Sequence, residues 1–457
     1  MGCKVKSPMR LPLCKRTKYL NCEGFYDMSG IRFGPFFDGG GTLLLEKRRV
    51  VITGMGVVAP NGIGVENFWD SLVHGRSAVR KITHFDASSY PCQVAAEVPD
   101  FNPIDYMDPK TAKRLARFAQ FALAASKMAM DDSRLDLNLI DPYRTGIIIG
   151  TGIGGGDCIE NQYTIFMEKG IKRLSPYGAG MICTHSAAGV ISCEFGIKGP
   201  NTTISAGCTS GLDAIYSAYN TIRLGDAEIM FAGAGEAPIT PCTVALFCAC
   251  GLLSKNNGNP QSTVKPYDVD GDGTALGEGG AMLLLEDLQN ALKRKAKIYG
   301  EILGYASGNE AHSIFHIDPN GDVAAEVIKK ALGNADLKPE DIDYINAHGN
   351  GSPEYDVNET IAIKKVFGES AYKIPVTSIK PITGQSFSVT GILQMITSLL
   401  VINKSIIPPT VNHTSPKSKC DLDYVQDHFR RSKVHKVLMN ALGYGGGHTV
   451  MVVGKFK

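Results

Sequence analysis

Three residues have the types and settings for covalent chemistry. Cys208 lies in the run Asn201-Thr-Thr-Ile-Ser-Ala-Gly207-Cys208-Thr-Ser-Gly211-Leu-Asp-Ala-Ile. The β-branched residues before it read as a buried strand, and those from Ser210 onward as a helix. A thiol at a helix's first turn meets free N–H groups and the positive end of the macrodipole, which favour thiolate. A lowered thiol pKa and attack near neutral pH are therefore expected. His348 stands in Ala-His-Gly-Asn-Gly-Ser, and Gln385 in Lys380-Pro-Ile-Thr-Gly-Gln-Ser-Phe-Ser-Val-Thr-Gly391. An imidazole at such a place is a candidate hydrogen-bond donor or base; an amide donates but cannot be protonated.

The elements that must position these residues fall into two matching series. The first runs through the strand-like segments 49–54, 146–150, 202–207, 228–235 and 280–286; the second through 299–304, 342–348, 375–380, 437–442 and 449–454. Helical patterns lie between, as at 112–131, 212–224 and 323–334. Two βαβαβαββ halves, at 47–297 and 298–457, predict an α/β fold with buried mixed sheets packed on shared helices. Ligands of such folds gather at the carboxyl ends of strands. Cys208 follows the third strand of the first half, His348 ends the second strand of the second half, and Gln385 follows that half's third strand. Cys208 and Gln385 are thus equivalent positions of a duplication.

Composition narrows the function classes. The 457 residues carry a net charge of +2, which gives no footprint for nucleic acid. No apolar run reaches the roughly 18 residues a membrane span needs. A cytoplasmic protein is expected, with no resident cofactor and no metal. The 12 cysteines show no CxxC spacing and read as reduced thiols, and the close pair Cys248-Ala-Cys250 lacks histidine partners for a metal. Residues 1–46 crowd Lys4, Lys6, Arg10, Lys15, Arg16 and Lys18, without a secretory apolar core, and read as a disordered N-terminal extension; organelle targeting stays open. Two further motifs are set aside. Asp268-Val-Asp-Gly-Asp-Gly273 begins like a calcium loop, but its twelfth position is Gly279. Gly150-Thr-Gly-Ile-Gly-Gly155 lacks the downstream acidic residue of a dinucleotide site and is better explained by close chain approach.

From about residue 48 onward the chain resembles the elongating β-ketoacyl-acyl-carrier-protein synthases, of the synthase I/II type in the thiolase superfamily. The resemblance is carried by Arg48-Arg-Val-Val-Ile-Thr-Gly-Met-Gly, Ile149-Gly-Thr-Gly-Ile-Gly-Gly, Ala206-Gly-Cys208-Thr-Ser-Gly, Pro266-Tyr-Asp268 through Gly277-Glu-Gly-Gly280, Asn346-Ala-His348-Gly, Ser378-Ile-Lys380 with Thr383-Gly384, Cys420-Asp-Leu-Asp423 and Gly443-Tyr-Gly-Gly446. It implies a layered αβαβα thiolase-like fold and a homodimer, or a heterodimer with a related subunit. It implies acyl carrier protein as partner, with substrates on phosphopantetheine. Cys208 would take the acyl group, and malonyl-carrier protein would lose CO2 and attack it. His348 would donate to the malonyl thioester oxygen. Lys380 and Glu359 would form a buried charged pair supporting the histidine. The N–H groups of Cys208 and Leu442 would form the oxyanion hole, with Leu442 also at the gate. Asn350 and Ser352 would face the pantetheine arm.

Departures from the family pattern shape the activity expected. Gln385 stands where the condensing members usually carry a second histidine, Leu442 where many have a gating phenylalanine, and His448 where many have asparagine. Gly271 and Thr274 replace larger residues. The main expectation is decarboxylative Claisen condensation in fatty-acid or type II polyketide synthesis. The alternatives are a non-condensing partner resembling a chain-length factor, and a non-elongating acyltransferase using Cys208 alone. His448 is expected as a satisfied loop histidine, or as a partial substitute for the missing imidazole.

Overall fold

The computed structural model describes residues 48–457. The expected N-terminal extension, residues 1–46, lies outside them. The path of the main sheet has ten strands: β1 (Val50–Ala59), β2 (Thr145–Gly150), β3 (Asn201–Ile204), β4 (Ile229–Glu236), β5 (Gly279–Asp287), β6 (Gly300–Asn309), β7 (Tyr344–Asn346), β8 (Val376–Thr377), β9 (Lys436–Gly443) and β10 (Gly447–Gly454). Their order is β8-β7-β9-β10-β6-β1-β5-β4-β2-β3.

That order contains one pattern twice. Counting strands within each half, both read third, second, fourth, fifth, first. The senses match too: third, second and fourth run parallel, while the fifth is antiparallel to its two neighbours. The halves meet where β1 pairs with β6 through Val51↔Glu301 and Ile52↔Gly300. The duplicated α/β architecture expected from the strand-like runs is present.

Side-chain alternation builds the layers. On β2, Ile147 and Ile149 face an outer core with Phe121, Phe231 and Leu284. Ile148 faces the middle core with Leu212, Ile215, Ile392 and Met439, as the period of two along a strand requires. Helix α1 (Arg117–Ser133) covers the outside of the first half, and α2 (Ser210–Arg223) and α5 (Ser388–Lys404) fill the middle layer. Helices α3 (Asp322–Asn334) and α4 (Pro353–Phe367) cover the second half. The α5 side chains are buried from Ser388 to Ile402, which explains an apolar pattern with no polar face.

Two close approaches set the layer spacing. A Cβ on Gly56 would lie 2.0 Å from the Ala125 carbonyl of α1. A Cβ on Gly211 would lie 2.0 Å from the Ser388 carbonyl, at the point where α2 crosses α5. The second contact brings the starts of α2 and α5 together. Those starts follow Cys208 and Gln385. No helix among the described residues is long and apolar enough to cross a membrane.

Candidate active site

Cys208 sits in a single turn, Gly207–Thr209, between β3 and α2. Gln385 sits between β8 and α5, with its main chain fixed on both sides. Its N–H donates to the Ala275 carbonyl at 2.8 Å, and its carbonyl accepts from the Gly277 N–H at 2.9 Å. His348 lies just beyond the end of β7. All three open onto one cavity of about 200 Å3, whose wall also includes Phe247, Leu252, Tyr355, Phe387 and Tyr444.

Cys208 and Gln385 touch. The amide Nε2 of Gln385 donates to the Cys208 sulfur at 3.0 Å, while its Oε1 is buried without a partner. The main-chain N–H of Tyr444 is directed at the same sulfur. Burial pushes the Cys208 thiol above its ordinary pKa, against the lowering effects of the Gln385 amide and the Lys380 charge. This corrects the lowered pKa expected from the helix start. Cys208 lies in the turn just before α2 rather than in the helix's first turn, and removing its thiolate from water raises the pKa.

The protonation state of His348 follows from its neighbours. The N–H of Leu442 donates to His348 Nδ1 at 3.1 Å, so Nδ1 must be an acceptor and the ring proton resides on Nε2. Nε2 is buried and has no protein partner. Burial holds the imidazole pKa well below its usual range, and electrostatic interactions with Lys380 and His448 act in the same direction. The site therefore presents a neutral imidazole with a free N–H donor.

Lys380 and Glu359 act on the main chain around His348 rather than on each other. Glu359 accepts from the N–H of His348 at 2.7 Å and of Gly349 at 2.9 Å, and Lys380 Nζ donates to the His348 carbonyl. Burial lowers the Lys380 pKa to about 8, although Glu359 opposes the shift. The expected buried charged pair is bridged by the peptide groups that the two side chains hold around His348.

Other expected residues divide. The Leu442 N–H is spent on His348, so it is not free for an oxyanion; the turn beyond the β9 ladder instead points the Tyr444 N–H at the sulfur. The Leu442 side chain does line the cavity. Asn350 lines it as well, with its Oδ1 accepting from the Ser352 N–H at 2.9 Å. Ser352 is instead the N-cap residue of α4 and is not part of the wall. His448 faces away from the cavity, its Nε2 lying 2.7 Å from Glu310 Oε1, which makes it a satisfied buried histidine.

The declined motifs have structural roles. Asp268 accepts from the N–H groups of Asp270, Thr414 and Ser415. In the glycine-rich run, Gly152 and Ile153 donate their N–H groups to the buried Glu236 and line the cavity. Among the described residues, no group of three or more His, Cys, Asp or Glu side chains is placed to hold a metal ion. Glu236, Tyr355, Phe247 and Phe387 were not singled out by sequence. They carry no motif, and only the fold gathers them.

Comparison with known proteins identifies the family. The model for the β-ketoacyl synthase N-terminal domain matches residues 47–291, and that for the C-terminal domain matches residues 299–414. The chain belongs to the β-ketoacyl synthase family. This ketosynthase is 40% identical over 413 residues to a 3-oxoacyl-[acyl-carrier-protein] synthase 2 of Synechocystis sp., covering 90% of this chain and 99% of the relative. Among solved structures it is similar to a type II polyketide ketosynthase in complex with its acyl-carrier protein and bound to a hexaketide. The TM-score is 0.84 at 34% identity, with 90% and 100% of the two chains covered. The ishigamide ketosynthase/chain length factor gives a TM-score of 0.84 at 32% identity, with the same coverage.

Proposed function

We propose that this ketosynthase accepts an acyl group on Cys208 from the phosphopantetheine thioester of an acyl carrier protein. It then extends that group by decarboxylative Claisen condensation with malonyl-carrier protein. One observation carries this reading: Cys208, Gln385 and the unpartnered Nε2–H of His348 share one cavity. In the first step the sulfur attacks the acyl carbonyl, and the departing pantetheine sulfur takes the thiol proton. The N–H groups of Cys208 and Tyr444 are the donors nearest the oxyanion that develops. In the second step malonyl-carrier protein loses CO2, and the N–H of His348 stabilises the enolate oxygen. The enolate carbon then bonds to the acyl carbon as the Cys208 sulfur leaves. Asn350 faces the pantetheine arm.

Gln385 can donate to charge at the same place as an imidazole but cannot hold a second proton. It serves here as a fixed donor to the thiolate and to the oxyanion formed from it. No resident cofactor enters this scheme, because each acyl group arrives already activated as a thioester.

The wider assignments belong to the same reading. Residues 47–297 and 298–457 are the duplicated halves, and the protein is cytoplasmic. A homodimer is favoured by β3, a largely exposed strand paired on one side only, and by exposed Ile159, Tyr163, Phe166 and Met167 on the helix Gly156–Lys169.

Incubation with hexanoyl-carrier protein, followed by intact mass measurement, should show a hexanoyl adduct that Cys208→Ala abolishes. Adding malonyl-carrier protein should release CO2 and a 3-oxoacyl product. An isolated protein with no adduct overturns the reading. An adduct without CO2 would instead identify a non-elongating acyltransferase.

A further inference from the structure

One partly buried carboxylate that the acyl chemistry does not use ties the nucleophile's turn to the opposite half. Asp213 lies on α2, outside the cavity wall. Its Oδ2 lies 2.8 Å from the hydroxyl of Thr209, the residue that follows Cys208. Its Oδ1 accepts from the Tyr305 hydroxyl and from the Thr449 hydroxyl, each at 2.8 Å. Tyr305 belongs to β6 and Thr449 to β10, both in the second half. The Tyr305 ring also stacks on Tyr216 of α2, with centroids 3.6 Å apart and planes inclined by 7°.

The geometry across from Asp213 gives this tie a catalytic consequence. Thr449 pairs across the ladder with Ala441, the residue before Leu442. The hairpin of β9 and β10 therefore carries both the N–H that fixes the His348 tautomer and, in its turn, the N–H of Tyr444. A carboxylate only accepts, and three hydroxyls converge on this one, from the nucleophile's turn, from β6 and from the hairpin. We propose that Asp213 is a positioning residue that sets the spacing between the Cys208 sulfur and the Tyr444 N–H. It fixes the oxyanion donor against the nucleophile. The inference rests on the acyl-transfer reading above, in that it assigns those two groups to one tetrahedral intermediate.

The test separates attack that needs an oxyanion donor from attack that does not. Acylation of Cys208 by p-nitrophenyl hexanoate passes through a tetrahedral intermediate; alkylation by iodoacetamide does not. Thr449→Val keeps the side-chain shape while cutting the tie to the hairpin. It is expected to slow ester acylation about tenfold or more through kcat, with KM and the alkylation rate unchanged. Thr449→Ser should restore the rate, and Tyr305→Phe, which keeps the ring stack, should move it in the same direction as Thr449→Val. Wild-type ester acylation in both Thr449→Val and Tyr305→Phe overturns the proposal. So does a parallel fall of acylation and alkylation, which marks a purely structural role. Wild-type protein that reacts with the ester but takes nothing from hexanoyl-carrier protein overturns the carrier reading instead, and the ester arm still decides Asp213.

Discussion

At the scale of single residues, the site departs from an acid–base design. Its one cavity imidazole is neutral and donates, and its amide donates to the sulfur. The pH dependence of Cys208 should therefore report the thiol. Because burial raises the thiol pKa, the iodoacetamide rate should still be climbing above the usual thiol midpoint of about 8.5. Gln385→Leu removes a donor that stabilises thiolate, so its profile should move further to alkaline pH; a wild-type midpoint below 7 would contradict the site described. Gln385→His exchanges the amide donor for one that can also be protonated and should raise decarboxylation of malonyl-carrier protein by roughly tenfold or more, whereas an unchanged rate would show that the amide suffices. Cys208, His348 and Gln385 were legible in the sequence because each follows a recognisable strand. The thiol's burial was not, since it depends on side chains such as Phe247 and Phe387 from distant segments. Nor could sequence show which N–H between Leu442 and Tyr444 faces the sulfur, because that depends on where the β9–β10 ladder stops.

At the scale of elements, the crossing of α2 and α5 delivers Cys208 to Gln385. Neither helix start has a capping side chain, and contact between backbones takes the place of local signals. Gly211→Ala would drive a methyl into the Ser388 carbonyl. It should destabilise the fold by about 1–3 kcal/mol and lower Cys208 acylation by more than the loss of folded protein accounts for. Calorimetry together with adduct formation checks both, and an unchanged melting temperature would refute the crossing. Phe387, just before α5, has φ +42 and ψ −113, backbone values that side chains rarely adopt. Periodicity revealed the helices and their apolar faces. The strained entry to α5 was invisible because phenylalanine is not a residue type that marks a positive φ.

At the scale of the molecule, the described residues form one compact unit, and its stability is linked to a buried acid, Glu236, behind the glycine-rich run of the site wall. Burial raises Glu236 to about 7, above its unfolded value, against hydrogen bonds from Ser388, Gly152 and Ile153. A raised acid binds its proton more tightly in the folded chain. Its contribution is full below the unfolded pKa and is lost as pH climbs through about 7. Glu236→Gln should therefore flatten the decline in stability between pH 5 and 7 by about 3 kcal/mol at most, measured by urea unfolding across that range. An equal slope in both proteins would show that Glu236 does not titrate there. The repeated strand order was readable from the sequence because buried β-branched runs recur in the same succession. The junction of the halves within the sheet was not, since it rests on the short pairing of β1 with β6. That junction has a practical corollary. The thiol is on one side of it and the imidazole and amide on the other, with a largely exposed connector, residues 292–297, between them. A chain cut in that connector would yield two fragments, neither holding a complete reactive set, and recovered turnover on mixing would serve as a split-enzyme readout of their reassembly.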